Sequence, residues 1–214
     1  MKKVLLSILL PLTLTVGVSA QEDTVEVAKR PIIPSIYIDY GKLLTLPTKT
    51  EEKYEVGLEV LISEKIPIVF EVGKATLNPE KAYANGEYEA KGTYFRIGTG
   101  VYSQFTAKNK LGLVFKYGLS SFDEIATITE SNRNLNRTLS ESYDRNDLSA
   151  SWLELNIYSD RQFNKFLALG INIRYRYLLD YDIQAPDDVY VIPGYGRSFD
   201  NSIPAANLFL KISF

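Results

Sequence analysis

Ten charged side chains recur at alternate positions of otherwise apolar runs. Asp39, Glu55, Glu59, Glu71 and Glu154 are the acids; Arg96, Lys116, Arg174, Arg176 and Lys211 are the bases. Carboxylates held beside bases can serve as a general acid and base. They can equally form a structural ion-pair network, where perturbed charges carry no chemistry. The equal numbers favour the network, because a closed polar interior needs balance: an unpaired buried charge costs several kcal/mol.

What is missing narrows the chemistry further. With no histidine in the chain, neither a Ser-His-Asp triad nor a histidine metal site can be assembled. With no cysteine, disulfides, thiolate metal sites and acylation of an N-terminal cysteine are excluded. The Gly98/Gly100 pair lies in an extended run and opens no helix, so it makes no phosphate cradle. Asp187-Asp188 and Asp144 with Asp147 lack the spacing of a calcium loop and read as solvated loop charge. The expectation is a protein that is not an enzyme, with no catalytic residue, cofactor or metal.

The positioning elements are strands. Tyr54, Val56, Leu58, Val60 and Ile62 form one apolar row with Glu55, Gly57 and Glu59 between them. This period-2 alternation recurs in Ile66–Gly73, Tyr94–Val101, Leu111–Leu119, Trp152–Tyr158, Leu167–Leu179 and Ala206–Phe214, and more weakly in Ile36–Gly41. Eight strands result. Short links near 64–65, 107–109 and 161–162 alternate with longer ones at 44–53, 76–87, 121–148 and 181–204. The expected fold is all-β: an eight-stranded antiparallel up-and-down transmembrane β-barrel with a filled polar interior, its long loops on one side.

Alternation alone does not say which row faces out. A soluble lipocalin-like barrel would turn the Leu/Ile/Val row inward, whereas a membrane barrel turns it to lipid. Gly41, Gly57, Gly73, Gly92, Gly98, Gly100, Gly112, Gly118 and Gly170 all share the face of the charges. Glycine weakens a solvent-facing strand, but inside a narrow barrel it makes room for long charged side chains. That places lipid outside. Eight strands also leave a lumen just wide enough for side chains to fill, so an open pore is disfavoured; a narrow channel or small-ligand barrel is the alternative to an interaction protein acting through loops 121–148 and 181–204.

The two ends place the chain in a cell. Lys2 and Lys3, the apolar Val4–Val16 and Val18-Ser19-Ala20 describe a signal peptide cleaved after Ala20, followed by a periplasmic segment 21–33 and the barrel 34–214. Cleavage removes two of 24 basic residues against 26 acidic ones, leaving a net charge of −4 and no basic run, so nucleic acid is not an expected partner.

The last strand, with Leu208, Leu210, Ile212 and Phe214 in one row, resembles the C-terminal signal of outer-membrane proteins, which implies recognition by the barrel-assembly machinery. Lys91-Gly92-Thr93-Tyr94-Phe95-Arg96-Ile97-Gly98 and Gly112-Leu113-Val114-Phe115-Lys116-Tyr117-Gly118-Leu119-Ser120 resemble a family of small Bacteroidota outer-membrane β-barrels of unknown function. The resemblance implies the barrel, an outer-membrane location and contact with lipid and lipopolysaccharide; it brings no site residues. Asp23-Thr24-Val25 is similar to the O-glycosylation sequon of that phylum, with Thr24 as acceptor. Small outer-membrane barrel enzymes rely on a histidine base, which this chain lacks. Replacing the terminal aromatic, Phe214→Ala, is expected to lower assembly efficiency; outer-membrane yield measures it, and an unchanged yield overturns the signal reading.

Overall fold

The computed structural model describes residues 32–43, 51–62, 65–79, 82, 86–132, 137–183 and 188–214, by backbone alone at 42–43, 128–132 and 137–141. The expectations for the signal peptide, cleavage after Ala20, Thr24, most of 21–33 and Asp187 lie outside these residues. Eight strands close into one barrel: β1 (Ile32–Asp39), β2 (Glu51–Ile62), β3 (Ile66–Leu77), β4 (Gly86–Gln104), β5 (Asn109–Asn132), β6 (Arg137–Gln162), β7 (Leu167–Tyr181) and β10 (Ser202–Ser213). Each pairs antiparallel with its chain neighbour, and β10 closes on β1, from Ser35 opposite Ser213 to Asp39 opposite Phe209. A two-stranded hairpin, β8 (Val191–Ile192) and β9 (Gly196–Arg197), interrupts the last connection. Both ends of the barrel chain, Ile32 and Ser213, lie at the end of the short turns, here the lower end. No helix among the described residues is long and apolar enough to cross a membrane, which says nothing of strands.

The period-2 rows resolve into faces. Along β2, Tyr54, Val56 and Leu58 are exposed while Lys53, Gly57 and Glu59 are buried. Along β4, Phe95, Ile97 and Val101 point out while Tyr94, Arg96 and Tyr102 point in. The apolar row is therefore the outer surface and the charged row the lumen, the reverse of a lipocalin-like barrel.

Several boundaries differ from the sequence reading. β1 starts two residues ahead of position 34, and Pro34 fits in it at the end of the β10 ladder, where its C=O accepts from Phe214 N–H at 3.0 Å and its missing N–H leaves only the reciprocal bond unmade. Strand character ends at Asp39, and Tyr40–Leu43 form a helical turn, α1. There a Cβ on Gly41 would stand 3.2 Å from the Leu208 Cβ, so the turn lies tight against β10. The expected loop 121–148 is mostly sheet. β5 and β6 run on as a hairpin paired from Phe122–Leu148 to Asn132–Arg137, with a bulge between Phe122 and Glu124. The bulge sits where Asp147 adopts φ 57° and donates its N–H to Asp123 Oδ1 at 3.0 Å. Asn, Asp and Ser made this stretch look like loop, but cross-strand pairing outweighs intrinsic preference in a ladder this long.

The glycines serve a role other than the one inferred for most of them. A Cβ on Gly57 would lie 2.2 Å from the Tyr37 ring, on Gly73 2.1 Å from Tyr94, on Gly112 2.1 Å from Tyr102, on Gly118 2.2 Å from Trp152 and on Gly170 2.3 Å from Phe209. Five interior glycines thus accept aromatic rings from a neighbouring strand; at Gly98 a Cβ would meet the Phe115 carbonyl oxygen at 2.2 Å before the Lys116 side chain at 2.6 Å. The rings form two apolar layers. Tyr37, Tyr102, Tyr158 and Phe209 pack with Leu61, Val69 and Val114 below, and Trp152 and Tyr94 pack with Phe122, Leu148 and Leu178 above. The larger set of buried charges lies between them. Gly118→Val should overpack the Trp152 layer and cost about 1–3 kcal/mol, read as a lower urea midpoint of the folded barrel; adding Trp152→Ala should give part of it back.

Candidate functional site

The middle of the lumen is built from every second residue of β2, β3, β4, β5, β6 and β7. Arg96, on β4, is fully buried at its centre. Its Nη1 donates to Glu55 Oε2 at 3.0 Å and to Glu71 Oε2 at 2.9 Å, its Nε lies 2.8 Å from Glu154 Oε1, and its guanidinium stacks 4.6 Å from the Tyr94 ring centre. Glu71 also accepts from Lys116 Nζ at 2.5 Å and from the Tyr37 hydroxyl at 2.6 Å. Glu55 accepts from Arg174 Nη2 and the Tyr94 hydroxyl, both at 2.7 Å, and lies 2.9 Å from Lys53 Nζ. Glu154 accepts from the Trp152 indole N–H at 2.8 Å, with Arg176 Nε 4.0 Å away. Hydrogen bonds to ionised partners are the strong ones, and here water cannot compete for them.

A second group lies lower. Lys211 Nζ donates to Glu59 Oε1 at 2.9 Å and to Asp160 Oδ2 at 3.0 Å, and the Tyr102 hydroxyl donates to Glu59 at 2.5 Å. Asp39 stands apart from both, accepting from Asn207 Nδ2 at 2.5 Å. Of the ten charged residues named from sequence, seven thus fall in the upper network, two in the lower group and one beside Asn207. Lys53 and Asp160 complete the set. Both lie on the inward parity, but Lys53 falls in what reads as a loop and Asp160 beside the turn at 161–162, so a strand-by-strand reading stops short of them. Another pair, Glu124 and Arg145 at 2.8 Å, sits above the barrel wall on the hairpin.

Of the expected display loop 181–204, residues 188–201 fold inward instead. Ile192-Pro193-Gly194-Tyr195 is a type II turn: Pro193 sets its second position, Gly194 takes φ +84°, and Tyr195 N–H bonds Ile192 C=O at 3.1 Å. A side chain at Gly194 would strike the Tyr94 ring, 2.4 Å from its Cβ. Ile192 and Tyr195, both fully buried, pack on Trp152 and Tyr94. The Gly194 carbonyl accepts from Arg96 Nη2 at 3.0 Å and Arg176 Nη1 at 3.1 Å, and the Tyr195 carbonyl accepts from Arg176 as well. The Tyr88 hydroxyl accepts from the Tyr190 and Val191 N–H groups, each at 3.2 Å. Burial pushes the Tyr195 hydroxyl above the ordinary tyrosine value, and it donates to the Asp200 carbonyl. The signal for this lid was in the chain: Val189, Tyr190, Val191 and Ile192 run straight into Pro-Gly, a strand-and-turn pattern.

Of the terminal row, Leu208, Ile212 and Phe214 face outward and are exposed, Leu210 partly so. Among the described residues no group of three or more acidic side chains is placed to hold a metal ion. Chemically, the middle of the lumen is a network of ion pairs flanked by apolar layers, built for rigidity. Glu71→Ala would strand Lys116 and Arg96 in a dry site and should cost about 3–5 kcal/mol. The double variant Glu71→Leu/Lys116→Met should cost less than Glu71→Ala alone, and urea midpoints of the two make the comparison.

No curated protein matches the chain in sequence. Among solved structures the fold is similar to that of Ail, the attachment invasion locus protein of Yersinia pestis, determined in complex with the heparin analogue sucrose octasulfate. The two share 8% identity with a TM-score of 0.43, over 86% of this chain and 97% of that one. The model of the family described as a domain of unknown function, DUF6048, matches residues 1–214, and the protein belongs to that family.

Proposed function

We propose that this is a non-enzymatic outer-membrane β-barrel protein that works by interaction, through the β5–β6 hairpin at its upper rim. The membrane part of this reading is supported by the outer surface. Ile36, Val72, Phe115, Leu153, Ile173 and Tyr175 belong to an exposed apolar belt around the barrel, which water would penalise and acyl chains accept. Phe105, Phe163, Phe166 and Phe214 lie exposed at the lower end, and Tyr54 and Tyr177 nearer the other, where interfacial aromatic girdles belong. Closure of β1 on β10 leaves no open edge in the barrel wall, the condition for strands in lipid.

The observation that carries the interaction role is the hairpin. β6 pairs with β7 only from Ala150 to Gln162, whereas its pairing with β5 continues to Arg137. Among the described residues no strand pairs with the outer edge of β6 between Arg137 and Leu148. At about 3.3 Å per residue, the part above the bulge reaches roughly 30 Å past it. An unpaired edge is a template for an added strand, and the Asp147 bulge with the charged Asp144 and Arg145 discourages two copies from joining edge to edge. Lipopolysaccharide and the barrel-assembly machinery remain the partners implied by a membrane barrel.

Deleting residues 125–145 should leave a heat-modifiable, carbonate-resistant barrel and abolish capture of a surface partner by cross-linking in intact cells. Failure of the deletion variant to assemble, or unchanged capture, overturns the hairpin role. Release of the intact protein in the soluble periplasmic fraction overturns the membrane reading. With aromatic layers at both ends of the lumen, planar-bilayer recordings should be flat; a steady conductance would favour the narrow-channel alternative.

A further inference from the structure

Among the described residues, the charges in the two groups and at Asp39 balance, but they are unevenly distributed. The connected upper network has five cations (Lys53, Arg96, Lys116, Arg174 and Arg176) against three carboxylates (Glu55, Glu71 and Glu154). The lower group has the opposite bias, Lys211 against Glu59 and Asp160. Glu51 at the mouth offsets part of this surplus, and the remaining positive charge, costly in a buried site, faces a cavity. Beside the β8–β9 lid, a cavity of about 290 Å³ opens at the upper mouth, lined by Lys53, Arg176, Arg197, Glu51 and the backbone at Gly194 and Gly196.

Arg176 is the group that points to a ligand. Its Nη1 is used on the lid carbonyls and its buried Nε faces Glu154 Oε1 at 4.0 Å, but its Nη2 has no hydrogen-bond partner among the described residues. That remaining guanidinium donor suits one oxygen of a phosphate-like group. Lys53 Nζ spends one contact on Glu55 and keeps donors to spare. Arg197, largely exposed and paired with Asp200 at 2.7 Å, stands at the entrance.

We infer that the upper mouth is an oxyanion-binding site for a compact phosphate- or sulfate-ester group, held by Arg176 and Lys53 with Arg197 at its rim. This assignment does not depend on the hairpin reading. The ester belongs either to a soluble molecule or to a lipid headgroup.

The test uses the mature protein in non-ionic detergent micelles with inorganic phosphate as the probe. Phosphate should broaden its own ³¹P resonance in the presence of protein, and it should raise the unfolding midpoint saturably above chloride at equal ionic strength. Arg176→Gln should weaken the apparent affinity about tenfold or more, the loss of one charge-assisted contact. Arg197→Gln, at an exposed position that threatens no folding, should weaken it by a few-fold. Equal midpoints in the two salts, or wild-type phosphate response in Arg197→Gln, overturn the site. Reconstitution separates the sources, using phosphatidylcholine vesicles with phosphatidic acid or, at equal charge, phosphatidylserine. Loss of the free-phosphate response only with phosphatidic acid assigns a lipid headgroup, and its persistence assigns a soluble ester.

Discussion

Arg96 has no route to water, and its charge is met by three carboxylates delivered from three other strands. Glu55 comes from β2, Glu71 from β3 and Glu154 from β6, so the guanidinium can be satisfied only when the barrel has closed around it. An ion pair of this kind adds little net stability when desolvation is counted, but removing one partner is severe. It therefore acts on specificity. A slip of one residue in any of these strands would turn its carboxylate out to the apolar belt and bring an aliphatic side chain in. Register, closure and charge pairing depend on one another.

The apolar layers above and below the network follow from the same constraint. Pairs this strong need a dry surrounding, and rings supply it at least cost in conformational entropy. Tyr37 and Tyr94 do both jobs, donating hydroxyls to Glu71 and Glu55 while their faces cover Gly57 and Gly73. The lid continues the pattern from outside: a Pro-Gly turn offers two carbonyls to Arg96 and Arg176 and covers the mouth with Ile192 and Tyr195. A barrel so filled is a rigid post. What varies around it is the rim, where β5 and β6 outrun their neighbours and where the surplus of cations meets the cavity beside the lid.

Strand number, the antiparallel order and the inward row of charges were legible in the chain because side-chain direction in a strand has a period of two, which no tertiary context alters. The glycines on the charged parity oriented that row correctly, although most of them serve rings rather than salt bridges. Local sequence cannot distinguish those uses, since the ring that fills each gap comes from a neighbouring strand. Loop 121–148 was misread because Asn, Asp and Ser signal turns only on average, and a long ladder overrides them. The lid carried a readable turn in Pro193-Gly194, but its docking into the lumen depends on Arg96, 98 positions away.

By itself, then, the sequence determined the alternation, the chemistry that is absent, and which residues share a face; these are properties of residue type and backbone period. Only the tertiary structure decided which acid meets which base, that the lumen is closed by aromatic layers, that one expected loop is a projecting sheet and that the other is a lid. Those outcomes rest on strand stagger and on contacts between residues far apart in the chain, where the free energy of a pair is set by burial that no single segment can provide.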